Sequence, residues 1–251
     1  MEDVGSESVS PSVSATETIA FIPARGGSIS IPRKNLAPLL GVPLLEYTIR
    51  AAVESKAFSQ IVVSSDDLEI REFAERLGCQ IHERPARLAT EKSRVIEAVL
   101  DAFGHLPIDT ESQVCVLQPT SPLRRSEHIT EALELFSSVA PPAVVSVVEC
   151  EHHPQKTLLL KNGRLLALHS HRHLEASRQD LPRAFRPNGA IYLLTVQTAR
   201  RTQSLIPEDS LPLFMSRDDS ADIDSHADLL YAEQSLLARR STESHTPSRN
   251  R

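Results

Sequence analysis

The 251-residue chain predicts an α/β fold built on a doubly wound, mostly parallel sheet with helices on both faces. Two observations lead to that class. Short apolar runs alternate with amphipathic stretches of helical period from Ile19 to Val148. The first apolar run also ends in a glycine turn followed by cations, where open α/β sheets place their ligand crevice.

Ile19–Ile22 reads as the first strand. Leu44–Ser55 has helical spacing, with Leu45, Ile49, Ala52 and Val53 on one face. Gln60–Ser64 is a second strand ending at Ser65-Asp66-Asp67. Leu68–Leu77 is an amphipathic helix closed by Gly78 at C′. Gln80–His82 is a short strand, Arg94–Phe103 a helix and Gln113–Gln118 a buried strand. Glu127–Ser137 follows as a helix with Ser126 as its N-cap, then Ala143–Val148 as a strand. The rhythm breaks after residue 149. The Pro- and His-containing segment 150–185 reads as an arm outside the sheet, for subunit contact or substrate capture. Gly189–Leu194 returns as a strand and Asp228–Ala238 closes the domain as a helix. Residues 1–17 have a disordered composition, 18–239 form the domain, and 240–251 read as a frayed tail.

Composition excludes several function classes. Lys and Arg total 27 against 33 Asp and Glu, a formal charge of -6, which argues against a nucleic-acid surface. No apolar run approaches the roughly 20 residues of a membrane-spanning helix, so no membrane partner is expected. The N-terminus lacks a basic segment followed by an apolar one, so it does not read as a secretory signal. Cys79, Cys115 and Cys150 are odd in number and widely spaced, as in buried reduced thiols of a cytoplasmic protein.

The first loop, Ile22-Pro23-Ala24-Arg25-Gly26-Gly27-Ser28, then Ile31-Pro32-Arg33-Lys34-Asn35, carries the strongest chemical signal. Two glycines without Cβ atoms let backbone N–H groups approach an anion. Arg25, Arg33 and Lys34 supply countercharge. The loop has neither the G-x-G-x-x-G spacing of a dinucleotide site nor the spacing of a P-loop. Four more motifs follow. They are Gln118-Pro119-Thr120-Ser121-Pro122-Leu123-Arg124, Glu151-His152-His153-Pro154-Gln155-Lys156, Phe185-Arg186-Pro187-Asn188-Gly189-Ala190-Ile191-Tyr192 and Ser220-Ala221-Asp222-Ile223-Asp224.

In order and spacing over about residues 19–235, these five motifs resemble the acylneuraminate cytidylyltransferases, the CMP-sialic acid synthetases. The resemblance implies a nucleotidyltransferase, Rossmann-like sheet with a small dimerisation arm at 150–185, and a homodimer. It implies transfer of CMP from CTP to the anomeric hydroxyl of N-acetylneuraminate, with Mg²⁺ and release of pyrophosphate. It places Arg25, Gly26, Gly27, Ser28, Asn35 and Arg84 at CTP. Gln118, Lys156, Arg178, Asn188 and Tyr192 fall at the sugar, and Lys34, Asp222 and Asp224 are catalytic. Asp222 and Asp224 would hold the metal: two hard oxygen donors two residues apart suit Mg²⁺, and in a strict strand they face one way. His169, His171 and His173 alternate but are read as a solvated or intersubunit strand, not a zinc site. The length leaves no room for the phosphatase-like domain of some animal relatives.

Two departures matter. Relatives carry Lys-Gly where this chain has Ile29-Ser30, so a phosphate-facing cation is missing. After Leu88-Ala89, where relatives carry small polar residues, this chain reads Thr90-Glu91-Lys92-Ser93-Arg94-Val95, and Lys92 or Arg94 is expected to restore the charge. Rival readings are the same chemistry on legionaminate or pseudaminate, a degenerate nucleotide- or sugar-acid-binding relative without turnover, and transfer to a neutral sugar phosphate.

Overall fold

A computed structural model describes residues 17–28, 30–105 and 109–244. The leader expected at 1–17 lies outside them apart from Glu17, as does Ile29.

Seven strands form the main sheet: β1 (Thr18–Pro23), β4 (Gln60–Ser65), β5 (Gln80–Glu83), β6 (Gln113–Val116), β7 (Ala143–Glu149), β10 (Phe185–Thr195) and β11 (Leu211–Phe214). A small hairpin pairs β2 (Pro38–Leu39) with β3 (Val42–Pro43), and the arm hairpin pairs β8 (Leu158–Lys161) with β9 (Arg164–Ala167). The main sheet runs in the order β11-β7-β10-β6-β1-β4-β5, and every strand but β10 points the same way. The chain winds outward from β1 through β4 to β5, then crosses back to β6 on the other side of β1. That reversal leaves a crevice beyond the carboxyl ends of β1 and β6.

Alternation in the strands sorts the core into two layers. Ala20, Ile22, Val63 and Cys115 face α1 (Leu44–Ser55), α2 (Leu68–Arg76) and α4 (Ser126–Val139). Ile19, Phe21, Val62, Val114 and Val116 face α3 (Val95–His105) and α6 (Val196–Thr202). A third cluster seats α7 (His226–Ser244) against Ile31, Leu39 and Leu123. Burial pushes the Cys79 thiol up to about 11 and the Cys115 thiol up to about 12, so both are neutral.

Several boundaries differ from the sequence reading for identifiable reasons. Val53 is 53% exposed, because the buried stripe of α1 is Leu44, Leu45, Thr48, Ile49, Ala51 and Ala52. Ser126 is the first helical residue of α4, and the N-cap position belongs to Arg125, whose N–H donates to Nδ1 of His128. The tail expected from 240 is helical through Ser244. In the arm, His171 and His173 lie on a short helix, α5 (His171–Glu175), where positions two apart diverge, rather than on a strand. The arm hairpin turns on Asn162 and Gly163, both at positive φ (51° and 72°), the geometry of a two-residue hairpin turn.

β10 starts earlier than expected and shifts register between Pro187 and Tyr192. Asn188, expected at the sugar, is 1% exposed and spent on internal bonds there. Its Oδ1 accepts from Ser146 Oγ (2.6 Å) and Ala190 N (3.2 Å), while Nδ2 donates to Ser220 Oγ (2.9 Å). Gly189 beside it has φ +80°, and a Cβ there would stand 2.5 Å from Gln118 Oε1. An Asn188→Leu variant keeps the volume but strands these buried polar partners. It should unfold about 2–4 kcal/mol more easily in urea, with an unchanged m-value.

Candidate active site

The glycine loop leaves β1 with Ala24 N donating to Ser64 O (2.9 Å). Gly26 N then donates to Asp66 Oδ1 (3.0 Å), so that N–H is engaged by a carboxylate rather than free for an anion. A Cβ on Gly26 would stand 2.7 Å from Asp67 Cβ, which is why glycine is needed there; Gly27 meets open space. Neither glycine has the left-handed φ of a typical anion nest. The side chains therefore dominate the site's charge.

Arg25, Gly27, Ser28, Lys34, Asn35 and Arg84 line one cavity of about 260 Å³ together with Gln118, at the crevice between β1 and β6. Arg25 Nη1 donates to Thr90 O (2.9 Å), and Asn35, almost buried, pins the loop by donating from Nδ2 to Arg25 O (2.8 Å). Lys34 Nζ donates to Ile223 O (2.7 Å) and pairs with Asp224 Oδ1 (2.9 Å). Arg33 does not join them: it pairs with Glu69, which raises its pKa, and lines a different pocket with Pro32 and Pro38.

Arg84 is 6% exposed. Its Nε donates to Ser64 Oγ (3.0 Å) and its Nη2 to Ser64 O (2.9 Å). Burial pushes it down to about 10, which leaves it cationic at neutral pH. Ser64 Oγ also bonds His82 Nδ1 (2.9 Å). His82 Nε2 lies 3.1 Å from Asp101 Oδ2, and Arg87 Nη2 donates to Asp101 Oδ1 (2.8 Å). The Ser64–His82–Asp101 chain was missed from sequence: its members come from β4, β5 and α3 and share no motif.

The two aspartates sit in the loop before α7, not on a strand. Ile223 between them is fully buried and its N–H donates to Thr120 O (2.8 Å), so the loop is anchored at its centre. Asp222 is half-buried and hydrogen-bonded to Thr120; burial chiefly, then the charge of Asp224, raises its pKa. Asp224 is exposed and held by Lys34.

A second cavity of about 240 Å³ adjoins the first and shares Arg94, Val95 and Gln118 with it. Tyr192, Ser204, Leu205 and Ile206 complete much of its wall. Tyr192 is nearly buried, and burial, then the charge of Asp222, raises its phenol. Of the two cations expected to restore the loop charge, Arg94 lines both cavities and Lys92 lines neither. Lys156 and Arg178 are carried on the arm and line neither cavity; Arg178 Nη2 donates to Cys150 O (3.2 Å).

Residues 19–237 match the family model described as Cytidylyltransferase. The chain belongs to the cytidylyltransferase family. It is 35% identical over 214 residues to the N-acylneuraminate cytidylyltransferase of Escherichia coli O18:K1:H7, an alignment covering 85% of this chain and 50% of that one. It is 31% identical to the pseudaminic acid cytidylyltransferase of Campylobacter jejuni over 86% of this chain and 95% of that protein. The CMP-N,N'-diacetyllegionaminic acid synthase of Legionella pneumophila is 35% identical, covering 86% and 94%. The chain thus spans about half the length of the Escherichia relative and nearly all of the other two. The fold resembles the solved CMP:2-keto-3-deoxy-manno-octonic acid synthetase complexed with CTP, with TM-score 0.66 and 17% identity over 90% of this chain and all of that one. Among the described residues no helix is long and apolar enough to cross a membrane.

Ser64 is the hinge of this wall. A Ser64→Ala variant removes the acceptor of a buried guanidinium Nε and the partner of His82. It should lose about 1–3 kcal/mol of stability by urea titration, with the far-ultraviolet circular dichroism of the native state unchanged.

Proposed function

We propose that the chain transfers CMP from CTP to the anomeric hydroxyl of a nonulosonic acid, N-acetylneuraminate first among them, releasing pyrophosphate. One observation carries this reading: a cavity lined by Arg25, Lys34 and Arg84 shares a wall, at Gln118, with a second cavity lined by Tyr192. A triphosphate and an acceptor held in adjoining cavities can meet only at the shared wall. In-line attack there forms the bond from sugar oxygen to α-phosphorus and breaks the bond to pyrophosphate, while the hydroxyl gives up its proton. No covalent intermediate with the chain is needed, so positioning and charge neutralisation supply the acceleration.

Arg25, Ser28 and Lys34 are assigned to the triphosphate, and Asn35 and Arg84 to the cytidine side of the cavity. Gln118, with both donors and an acceptor, and Tyr192 are assigned to the acid. Asp222 and Asp224 fit a magnesium ion: both donate hard oxygens, and burial leaves the Asp222 carboxylate in want of positive charge. Bound there, magnesium would neutralise charge developing on the departing pyrophosphate. Lys34 sets the position of Asp224 and of the Ile223 carbonyl between the two carboxylates.

The sugar is open among N-acetylneuraminate, legionaminate and pseudaminate, since relatives named for each stand at 31–35% identity. Pyrophosphate release from CTP and Mg²⁺ with each acid in turn tests the proposal. The best acid should support release, and Asp224→Ala or Lys34→Ala should cut it by about 10²–10³-fold. Absence of release with all three acids, while CTP still binds, would replace transfer with binding alone.

The arm is assigned to a second copy of the chain. Its hairpin leaves Leu158, Leu159, Leu160, Leu165 and Leu166 exposed, up to 75% at Leu160, and an isolated two-stranded hairpin is barely stable in water. Sedimentation should show a dimer for the native chain and a monomer for a Leu160→Glu, Leu165→Glu variant; equal masses would refute it.

A further inference from the structure

We infer that Arg94 is the residue that reads the carboxylate of the acid acceptor. The inference rests on the transfer reading above and adds a specificity residue to it.

Three observations meet at this side chain. First, Arg94 lies on the wall common to the two cavities, with Val95 and Gln118. Second, the cavities differ in charge. The first is lined by Arg25, Lys34, Arg84 and Arg94 against Glu91; among the described residues lining the second, Arg94 alone is charged. Third, the guanidinium is drawn toward the second cavity: Nη2 donates to Gln203 O (2.5 Å), next to Ser204, Leu205 and Ile206 of that cavity's wall. Its backbone is fixed as well, since Arg94 N donates to Glu97 Oε2 (3.1 Å) at the start of α3.

An acid entering the second cavity brings a negative charge. Gln118, Tyr192 and Ser204 offer it only neutral hydrogen bonds, which orient a carboxylate without neutralising it. A guanidinium, which carries further N–H donors beside the one given to Gln203 O, does both. The first cavity holds three other cations, and two of them, Arg25 and Lys34, are already assigned to the triphosphate. This reassigns the cation expected from sequence to serve the phosphate loop: Lys92 is away from both cavities, and Arg94 faces the acceptor.

Calorimetric titration with N-acetylneuraminate, legionaminate and pseudaminate, and with the methyl ester of whichever binds best, decides it. The titrations are run with Mg²⁺ and a non-hydrolysable CTP analogue. The native chain should prefer acid to ester by about 10–100-fold. Arg94→Ala should bind the two within about twofold of each other, while its affinity for the CTP analogue moves by less than about twofold. Arg94→Lys should restore part of the preference, a rescue that loss of a purely structural contact would not give. The assignment is overturned if Arg94→Ala keeps the acid preference, if its CTP affinity falls by the same factor, or if no acid binds the native chain. Turnover separates the two readings. A native chain that binds acid through Arg94 yet releases no pyrophosphate refutes transfer and leaves Arg94 in place. One that turns over with its acid preference unaltered in Arg94→Ala refutes Arg94 alone.

Discussion

The site depends on one buried carboxamide. Asn188 ties β7 through Ser146 and the carboxylate loop through Ser220, and it sits at the register shift of β10, the single strand that runs against the rest. Those ties fix three things at once. Gly189 lies within the shift at φ +80°, and its lack of a Cβ leaves space for the Gln118 side chain. The strand that resumes after the shift carries Tyr192 to the second cavity. The Ser220 bond sets where the chain leaves for Asp222 and Asp224. One buried side chain thus bears on where Gln118, Tyr192 and the two aspartates stand, and each buried polar bond it makes is expensive to lose.

The cations of the first cavity follow a related logic. Arg25 is held by Thr90 O, Lys34 by Ile223 O and Asp224, and Arg84 by both oxygens of Ser64. Each charge is fixed by the fold before any ligand arrives, mostly through neutral oxygens that leave the charge uncancelled. A site arranged this way has little reorganisation left to do when an anion enters, which is where electrostatic preorganisation gains its advantage over water. Arg33 shows the alternative: its partner is a carboxylate, Glu69, and it stands outside the cavity.

Most of this was legible in the sequence where a local period or a strand end dictated it. The strands from Ile19, Gln60, Gln113 and Ala143 are short apolar runs, and such runs seldom form anything but buried strands in this setting. Arg25, Lys34, Arg84 and Gln118 follow such strands at the sheet edge where crevices open, so their convergence followed from topology. What was not legible depends on tertiary contact. Nothing local distinguishes Arg33, which turns to Glu69, from Lys34, which turns to the cleft. The Asp-x-Asp pattern gave the residues but not the loop, because Ile223 is fixed by Thr120, a hundred residues earlier in the chain. Asn188 lay in a recognisable motif, yet its inward role needs Ser146 and Ser220 beside it. His82 and Asp101 had no signal at all.

The contact between Gly26 and Asp67 couples the loop to a helix. Asp67 caps α2, its Oδ1 accepting from Glu69 N and Ile70 N, and its Cβ fills the space a side chain on Gly26 would need. Neighbouring Asp66 holds the N–H of that glycine. The first turn of α2 and the loop after β1 therefore belong to one cooperative unit, and a fluctuation that frays the helix start also releases the loop. Amide exchange at Gly26 would report the opening of α2, and a chain drifting in sequence can change position 26 only together with position 67.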